Sequence, residues 1–351
     1  MSPLAHEIMH ALAHGEPVSG ALLAKRLGCS RAAIWKQIQS LRAAGVEITA
    51  DNSSGYQWQQ PVALLDAGEI FSGLQPSVAE RLQHLQCLPL CHSTNVELAA
   101  QPAATVACCV SEYQQAGRGR RARLWCAPAY GSLLLSLRWE FAAGANALAL
   151  LGIRTGLLLR EMLQGFVAVP IGVKWPNDIV VQQQDGCAKL AGILIEMHGS
   201  MDGPCTVIIG IGVNVSWPED YRRHLRQQLC HSEVPAERMA LPPVDLRTLG
   251  GEAARSRLAA TLINHLTGIC LQQEQGQIAP AQELIASWRQ HDVLHGKRIQ
   301  VSSESTGEVI IADAVAAGID ASGACLVQAG GHMHSFNASS ISLRPWQRAA
   351  R

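Results

Sequence analysis

The chain has no net charge, its 28 lysines and arginines being matched by 28 aspartates and glutamates. Attraction to nucleic acid must then come from a local basic face, not from the protein as a whole. No segment reaches the roughly 18 uninterrupted apolar residues of a membrane-spanning helix. The N-terminal Met1-Ser2-Pro3-Leu4-Ala5-His6 lacks both the basic start and the apolar core of a secretory leader. A cytoplasmic protein with no membrane attachment is expected. There is no internal repeat, no low-complexity run and no Walker phosphate loop. Eleven cysteines are present without a repeating spacing, and Cys108 and Cys109 are neighbours in an apolar run. That suits free thiols in a reducing compartment, not a disulfide framework. Cys87-x-x-x-Cys91-His92 has no second Cys/His pair at a useful spacing, so zinc is not expected.

What is present is a core. With 48% hydrophobic and 16% charged residues over 351 positions, the chain describes two or three folded domains. In the first block, residues 1–62, Ile8, Met9 and Leu12 repeat at helical spacing before Gly15-Glu16-Pro17 breaks the pattern. Ser19 caps a short helix through Leu27, Gly28-Cys29 makes a turn, and Ser30 caps a second helix through Ala44. Ile34, Ile38 and Leu41 share the inner face of that helix, which leaves Arg31, Lys36, Gln37 and Ser40 outward. Between Lys25 and Val46 there are five basic residues and no acidic one. Val46–Thr49 and Tyr56–Trp58, around the polar turn 51–55, read as a two-stranded wing. The pattern fits a winged helix-turn-helix whose Ser30, Arg31, Lys36 and Gln37 face DNA. It also fits a small helical interaction domain with a merely solvated basic face.

Residues 63–290 alternate apolar runs (Val106–Val110, Leu133–Trp139, Val207–Val215) with helical stretches (Glu97–Ala100, Leu148–Leu163, Arg255–Leu271). This predicts an α+β domain with a mixed sheet. In residues 291–351, Lys297–Ser302, Glu308–Gly318, Ala324–Ala329 and Ile341–Leu343 alternate between Gly or Ser turns, as in a small β-barrel. The weakly patterned stretch 222–250 reads as a surface insertion.

Four arginines and two glycines fill Gly117-Arg118-Gly119-Arg120-Arg121-Ala122-Arg123. Such charge cannot enter an apolar core unpaired. Arginine forks bind carboxylate and phosphate, so the loop fits closure over a polyanion, a nucleic-acid contact or plain solvation. Lys174-Trp175-Pro176-Asn177-Asp178 puts a cation and two short polar side chains at a strand end, where Pro176 breaks the ladder. Gly210-x-Gly212-x-Asn214 closes an apolar strand, and its glycines admit close approach of a ligand. It lacks the third glycine and following helix of a dinucleotide fingerprint.

With Ser93-Thr94-Asn95 and Lys189-Leu190-Ala191-Gly192-Ile193, these motifs in this order resemble the catalytic domain of biotin protein ligases. The N-terminal block, through Ser30-Arg31-Ala32-Ala33-Ile34, and the closing β-segment resemble the subgroup that also represses biotin synthesis. The resemblance implies an α+β chain in three domains: a winged helix-turn-helix (1–62), a mixed-sheet biotin/lipoate ligase-like catalytic domain (63–290) and a small SH3-like β-barrel (291–351). It places Ser93, Thr94, Asn95, Gln114, Gly119 and Gly192 around biotin, together with Arg118, Arg120 and Lys174. Around the nucleotide it places Arg120, Arg123, Trp125, Lys174, Asn177 and Asn214, with Trp125 stacked on adenine. Lys174, Arg120 and Arg118 would be the catalytic cations.

The implied reaction activates biotin with ATP to biotinyl-5′-AMP and passes biotin to a lysine of a biotin carboxyl carrier protein. Mg²⁺ would come mainly with ATP, Asn177 and Asn214 would lie by the nucleotide and metal region, and no residue is singled out as a certain metal ligand. The adenylate would also be the corepressor of a homodimer on operator DNA. Two alternatives stand beside this reading. A ligase with a non-regulatory N-terminal domain is one; a biotin-sensing DNA-binding regulator, which could lose Lys174 or Arg120, is the other. A lipoate ligase would lack the arginine loop. The chain departs from the ligase pattern at Ala122, where glycine is usual, and at His92, where an acidic residue is common. The turn between Val181 and Lys189 is longer, and the wing turn Ser53-Ser54-Gly55-Tyr56 lacks a lysine.

Overall fold

The computed structural model describes residues 3–51, 53–102, 105–120, 123–142, 144, 148–183, 186–199, 202–231, 241–303, 305–338 and 340–345. The chain forms two compact units, one from Met1–Glu140, Val207–His224 and Asp245–Asn264, the other from Phe141–Thr206, Leu225–Val244 and His265–Arg351.

In the first unit, helices Pro3–Leu12, Gly20–Arg26 and Arg31–Ala43 make the helix-turn-helix. Ser19 Oγ accepts from Leu22 N at 3.2 Å and Ser30 Oγ from Ala33 N at 3.1 Å, each cap contributing about 1 kcal/mol. Ile8, Met9, Leu12, Leu23, Ile34, Ile38 and Leu41 are fully buried together. The wing pairs Ile48–Asp51 antiparallel with Gly55–Trp58, Ile48 opposite Trp58. Arg42 donates through Nε to Ile48 O at 2.8 Å, so this basic residue ties the helix to the wing. At the wing turn, Asp51 Oδ1 accepts from the backbone of Ser53 (2.7 Å) and Ser54 (2.9 Å). Those bonds, led by the Ser53 hydroxyl, hold its carboxyl far below the usual range, so the turn carries a negative charge where a phosphate-binding wing would carry a cation.

His6 makes an edge contact with His10 at 4.6 Å and stacks on Tyr130 at 6.5 Å. Burial, and then His10, lower its pKa against the opposing pull of Glu112 and Glu7. The unfolded chain therefore takes up the proton more readily, and stability is lost as pH falls through the unfolded value near 6.5. Denaturation between about pH 5 and 8 should show an acid loss that His6→Gln reduces. An identical pH profile for the two proteins would refute this.

The unit's strands run in the order His84–Leu88, Ala107–Ser111, Ser132–Phe141, Cys205–Asn214. The first pair is parallel and the second antiparallel, so the sheet is mixed. Helix Thr94–Ala99 packs on Ala107–Ser111 through Leu98. Cys108 and Cys109 are buried free thiols whose pKa values burial raises. Beneath the segment that leaves the wing, Arg255 pairs with Glu112, both almost wholly buried. Glu112 Oε1 accepts from Leu65 N at 2.6 Å and Arg255 Nη2 donates to Ala63 O at 2.8 Å. The 222–250 stretch is more interior than expected: Glu219–His231 is helical, and Arg222 pairs with the fully buried Asp245 at 2.6 Å. Residues 232–240 of that stretch lie outside the described residues.

In the second unit, strands Gly186–Gly199, Asp178–Gln183 and Ile171–Lys174 lie side by side, and helix Leu151–Gln164 packs against them. The C-terminal segments form a five-stranded antiparallel sheet in the order His332–Phe336, Cys325–Ala329, Val309–Ile319, Arg298–Ser303, Ile341–Pro345. The strand His332–Phe336 was not anticipated. Its polar His-Met-His-Ser has no apolar alternation, although Gly330-Gly331, with φ of 56° and 80°, is a hairpin-turn signal.

Candidate active site

The first unit builds a buried polar network at the start of helix Thr94–Ala99. Gln115 N and Ala116 N bond to the carbonyls of Cys91 and His92, both at 3.0 Å, which brings Gln114 beside the helix N-terminus. Gln114 Oε1 accepts from Thr94 N at 2.8 Å and Thr94 Oγ1 at 3.1 Å. Ser136 Oγ lies 2.7 Å from Thr94 Oγ1 and 2.6 Å from Asn95 Oδ1, within donating reach of either. Ser93 occupies the N-cap position without a side-chain cap bond, so its buried hydroxyl is not taken up by the helix. Ser136 was missed from sequence. It is a lone hydroxyl in the apolar strand Ser132–Phe141, and only the register aims it at Thr94.

The arginine loop is a tight hairpin. Trp125 N bonds to Gly117 O at 2.8 Å, Gly119 N to Arg123 O at 2.7 Å, and Arg118 stands opposite Leu124. Arg118 and Arg123 are exposed and Arg120 is half-buried; Arg121 and Ala122 lie outside the described residues. The glycines of the closing strand admit side chains of the protein itself. A Cβ on Gly210 would overlap the Asn95 carboxamide, and one on Gly212 would stand 2.6 Å from Trp125 Cε2 and Cζ2. The Trp125 indole thus covers Gly212, two residues from the buried Asn214.

The second unit holds the other predicted residues. Lys174, 7% exposed, ends its strand opposite Asp178. Asn177 Nδ2 donates to Ile193 O at 2.7 Å and Ile193 N to Asn177 O at 3.0 Å, which fixes the turn against the strand beside the buried Gly192. The Asn177 amide nitrogen is therefore taken up in holding the turn. Trp175 Nε1 donates to Gly323 O at 3.0 Å, tying the turn to the C-terminal sheet. Burial lowers the Lys174 pKa; Asp178 opposes this, and Arg344 and Lys189 add to it. Asp178 is itself bonded to Lys189 at 2.6 Å. A bound anion beside Lys174 would oppose the effect of burial and of the neighbouring cations on it. Lys189 stood in a recognised motif without an assigned role, whereas Arg344, on the last strand, carried no sequence signal. Among the described residues no group of three or more His, Cys, Asp or Glu side chains is arranged to hold a metal ion.

Residues 5–57 match the model of the HTH domain, and residues 89–214 that of the biotin/lipoate A/B protein ligase family. Over 343 residues the chain is 32% identical to the bifunctional ligase/repressor BirA of Salmonella typhimurium, with 96% of each chain covered. The same protein of Escherichia coli is 32% identical over 345 residues, again with 96% of each covered. The chain belongs to the BirA family. Among solved structures, the biotin protein ligase from Aquifex aeolicus in complex with biotin and ATP shares its fold, with a TM-score of 0.56 and 21% identity over 75% of this chain and all of that one. The helix-turn-helix match and the ligase match follow one another in this single chain.

Proposed function

We propose that this protein is a biotin protein ligase that also represses transcription of biotin-synthesis genes. One continuous segment carries the reading. From Gln114, whose carboxamide orders Thr94, the chain runs through the arginine hairpin to Trp125 over Gly212. A neutral polar pocket, a set of cations and an aromatic face are what a ureido ring, a carboxylate with phosphates, and an adenine require in turn.

In this assignment Ser93, Thr94, Asn95 and Gln114 meet the ureido ring and its surroundings, with Gly119 and Gly192 against it. Ser136 orients Thr94 and Asn95. Arg118, Arg120, Arg123 and Lys174 hold carboxylate and phosphate oxygens, Trp125 stacks on adenine, and Asn177 (through Oδ1) and Asn214 contact the nucleotide. A carboxylate oxygen of biotin attacks the α-phosphorus of ATP and pyrophosphate leaves, giving biotinyl-5′-AMP. The lysine amine of a biotin carboxyl carrier protein then attacks the acyl carbon and AMP leaves. Mg²⁺ enters with its phosphate ligands as part of the nucleotide substrate. The protein's cations offset the repulsion between two anions and the charge developing at phosphorus, and the hairpin keeps water from the anhydride. No protein nucleophile is required.

On the helix-turn-helix, the exposed Arg31 and Lys36 meet phosphates or base edges, Ser30 presents the capped helix N-terminus, and Gln37 is half-buried beside them. A cytoplasmic homodimer with the adenylate as corepressor on two-fold symmetric operator DNA completes the reading. The closing five-stranded sheet is its small SH3-like barrel, and residues 1–62, 63–290 and 291–351 are its functional divisions.

The deciding experiment incubates the protein with biotin, ATP, Mg²⁺ and a carrier domain; the carrier lysine should become biotinylated, and an unmodified carrier refutes the ligase. A gel shift on the promoter of a biotin-synthesis operon, with and without biotin plus ATP, tests repression. Binding should strengthen with the adenylate and fall steeply with salt; equal or absent binding in both conditions leaves a ligase alone. The arginine hairpin has its own signature. Arg118→Gly should release biotinyl-5′-AMP, so that lysines of bystander proteins become labelled. Carrier-only labelling by that variant would remove the hairpin from the role of shield.

A further inference from the structure

The arginine hairpin does not end at Trp125. Its return arm continues into Pro128-Ala129-Tyr130, and these residues are built into the helix-turn-helix. Ala129 N donates to Ala44 O, the C-cap of the second helix of that motif, at 2.9 Å. Ala129 and Tyr130 are buried in the same apolar cluster as Ile8, Ile34, Ile38, Leu41 and Trp58. The Tyr130 ring stands edge-on to Trp58 at 5.6 Å and stacked on His6 at 6.5 Å. Gly45, with φ of 86°, lets the chain pass so close that a Cβ there would be 3.0 Å from Pro128 Cβ and 2.6 Å from Tyr221 Cδ2.

Two features of Tyr130 work against the fold. Its φ is 66°, in the left-handed region that a bulky residue rarely adopts. Among the described residues its hydroxyl is buried without a hydrogen-bond partner. Glycine at this position would relieve the strain and phenylalanine the buried hydroxyl. Strain retained between a ligand loop and a DNA-binding helix directs attention to function. The far side of the segment is anchored: Tyr130 N bonds to Glu112 O, and Val215 N and Ser216 N both bond to Gly131 O, at 2.9–3.0 Å. On its other side the segment is bonded to Ala44 and packed on Gly45, so a shift of the hairpin's return arm would bear directly on the end of that helix.

We propose that Pro128-Ala129-Tyr130 couples the adenylate loop to the DNA-binding helix, with Tyr130 as the positioning residue. When the hairpin closes over biotinyl-5′-AMP, its return arm shifts against Ala44 and Gly45 and resets that helix. This rests on the proposed role of the hairpin in holding the adenylate.

Hydrogen exchange of the full chain, with biotinyl-5′-AMP formed from biotin and ATP, tests it. In the parent, exchange should slow at 117–127 and, by about fivefold or more, also at 41–46 and 129. Tyr130→Gly accepts the positive φ and removes the ring. It should make pyrophosphate like the parent and keep the slowing at 117–127, but lose it at 41–46. Tyr130→Phe should behave as the parent does. Slowing that stops at 127 in the parent, or reaches 41–46 unchanged in Tyr130→Gly, overturns the coupling while leaving the ligase reading intact. Absence of slowing at 117–127 in the parent overturns the hairpin's role and the coupling with it. The parent measurement decides even where Tyr130→Gly does not fold.

Discussion

Lys174→Ala should lose about a hundredfold or more of biotinyl-5′-AMP formation, the usual consequence of deleting one charged contact to a transition-state anion. The fold should be unharmed. Lys174 is buried at a strand end, and Asp178, opposite it in the strand pair, is bonded to Lys189. Burying an ammonium group without a dedicated partner disfavours the native state, so its removal should leave the denaturation midpoint unchanged or raised. A structural lysine would behave the other way, with stability falling and rate following it. Lys174→Arg should recover part of the activity at best, because a planar fork does not replace a compact ammonium. Burial also lowers the lysine's pKa, so kcat/KM for adenylation should fall as pH rises through a value below that of an ordinary lysine. Pyrophosphate release by the folded Lys174→Ala protein at near the parent rate would sink the assignment.

Legibility in the sequence followed the range of the interaction. Ser19 and Ser30 announce their helices because a cap acts over three residues, and both helices end within a residue of the positions read from the pattern. The arginine hairpin and the Lys174–Asp178 turn are contiguous, so their chemistry could be seen before their geometry. Ser136 could not be assigned, since nothing in Leu-Leu-Leu-Ser-Leu says which face meets Thr94. Arg344 bears on Lys174 across 170 positions, a relation that only the fold creates. The glycines of 210–214 were read as room for a ligand. Asn95 and Trp125 fill that room, so those glycines set the placement of two side chains of the protein itself. Tyr130 carries no signal in the sequence, because its contacts are with residues more than seventy positions away.

The Glu112–Arg255 pair, 143 positions apart, makes the other large prediction. Each side chain is nearly inaccessible, and each also bonds the segment leaving the wing, at Leu65 N and Ala63 O. Arg255→Met strands a buried carboxylate and should lower the stability of the chain by about 3–5 kcal/mol. Glu112→Leu strands the guanidinium with a similar result. The double variant removes both charges and should recover much of the loss, as the coupling in a double-mutant cycle. Stability alone then says little about why the pair is there. Neither apolar side chain can bond Leu65 N or Ala63 O, so the double variant should regain its denaturation midpoint yet leave residues 63–65 open to proteolysis as readily as either single variant. A single variant that loses less than about 1 kcal/mol would mean that water reaches the pair. A double variant as resistant at 63–65 as the parent would mean that the segment is held by packing. If it is cut, the buried ions serve to seat the connection between the DNA-binding helices and the ligase block in one register, which apolar side chains of similar volume would not specify.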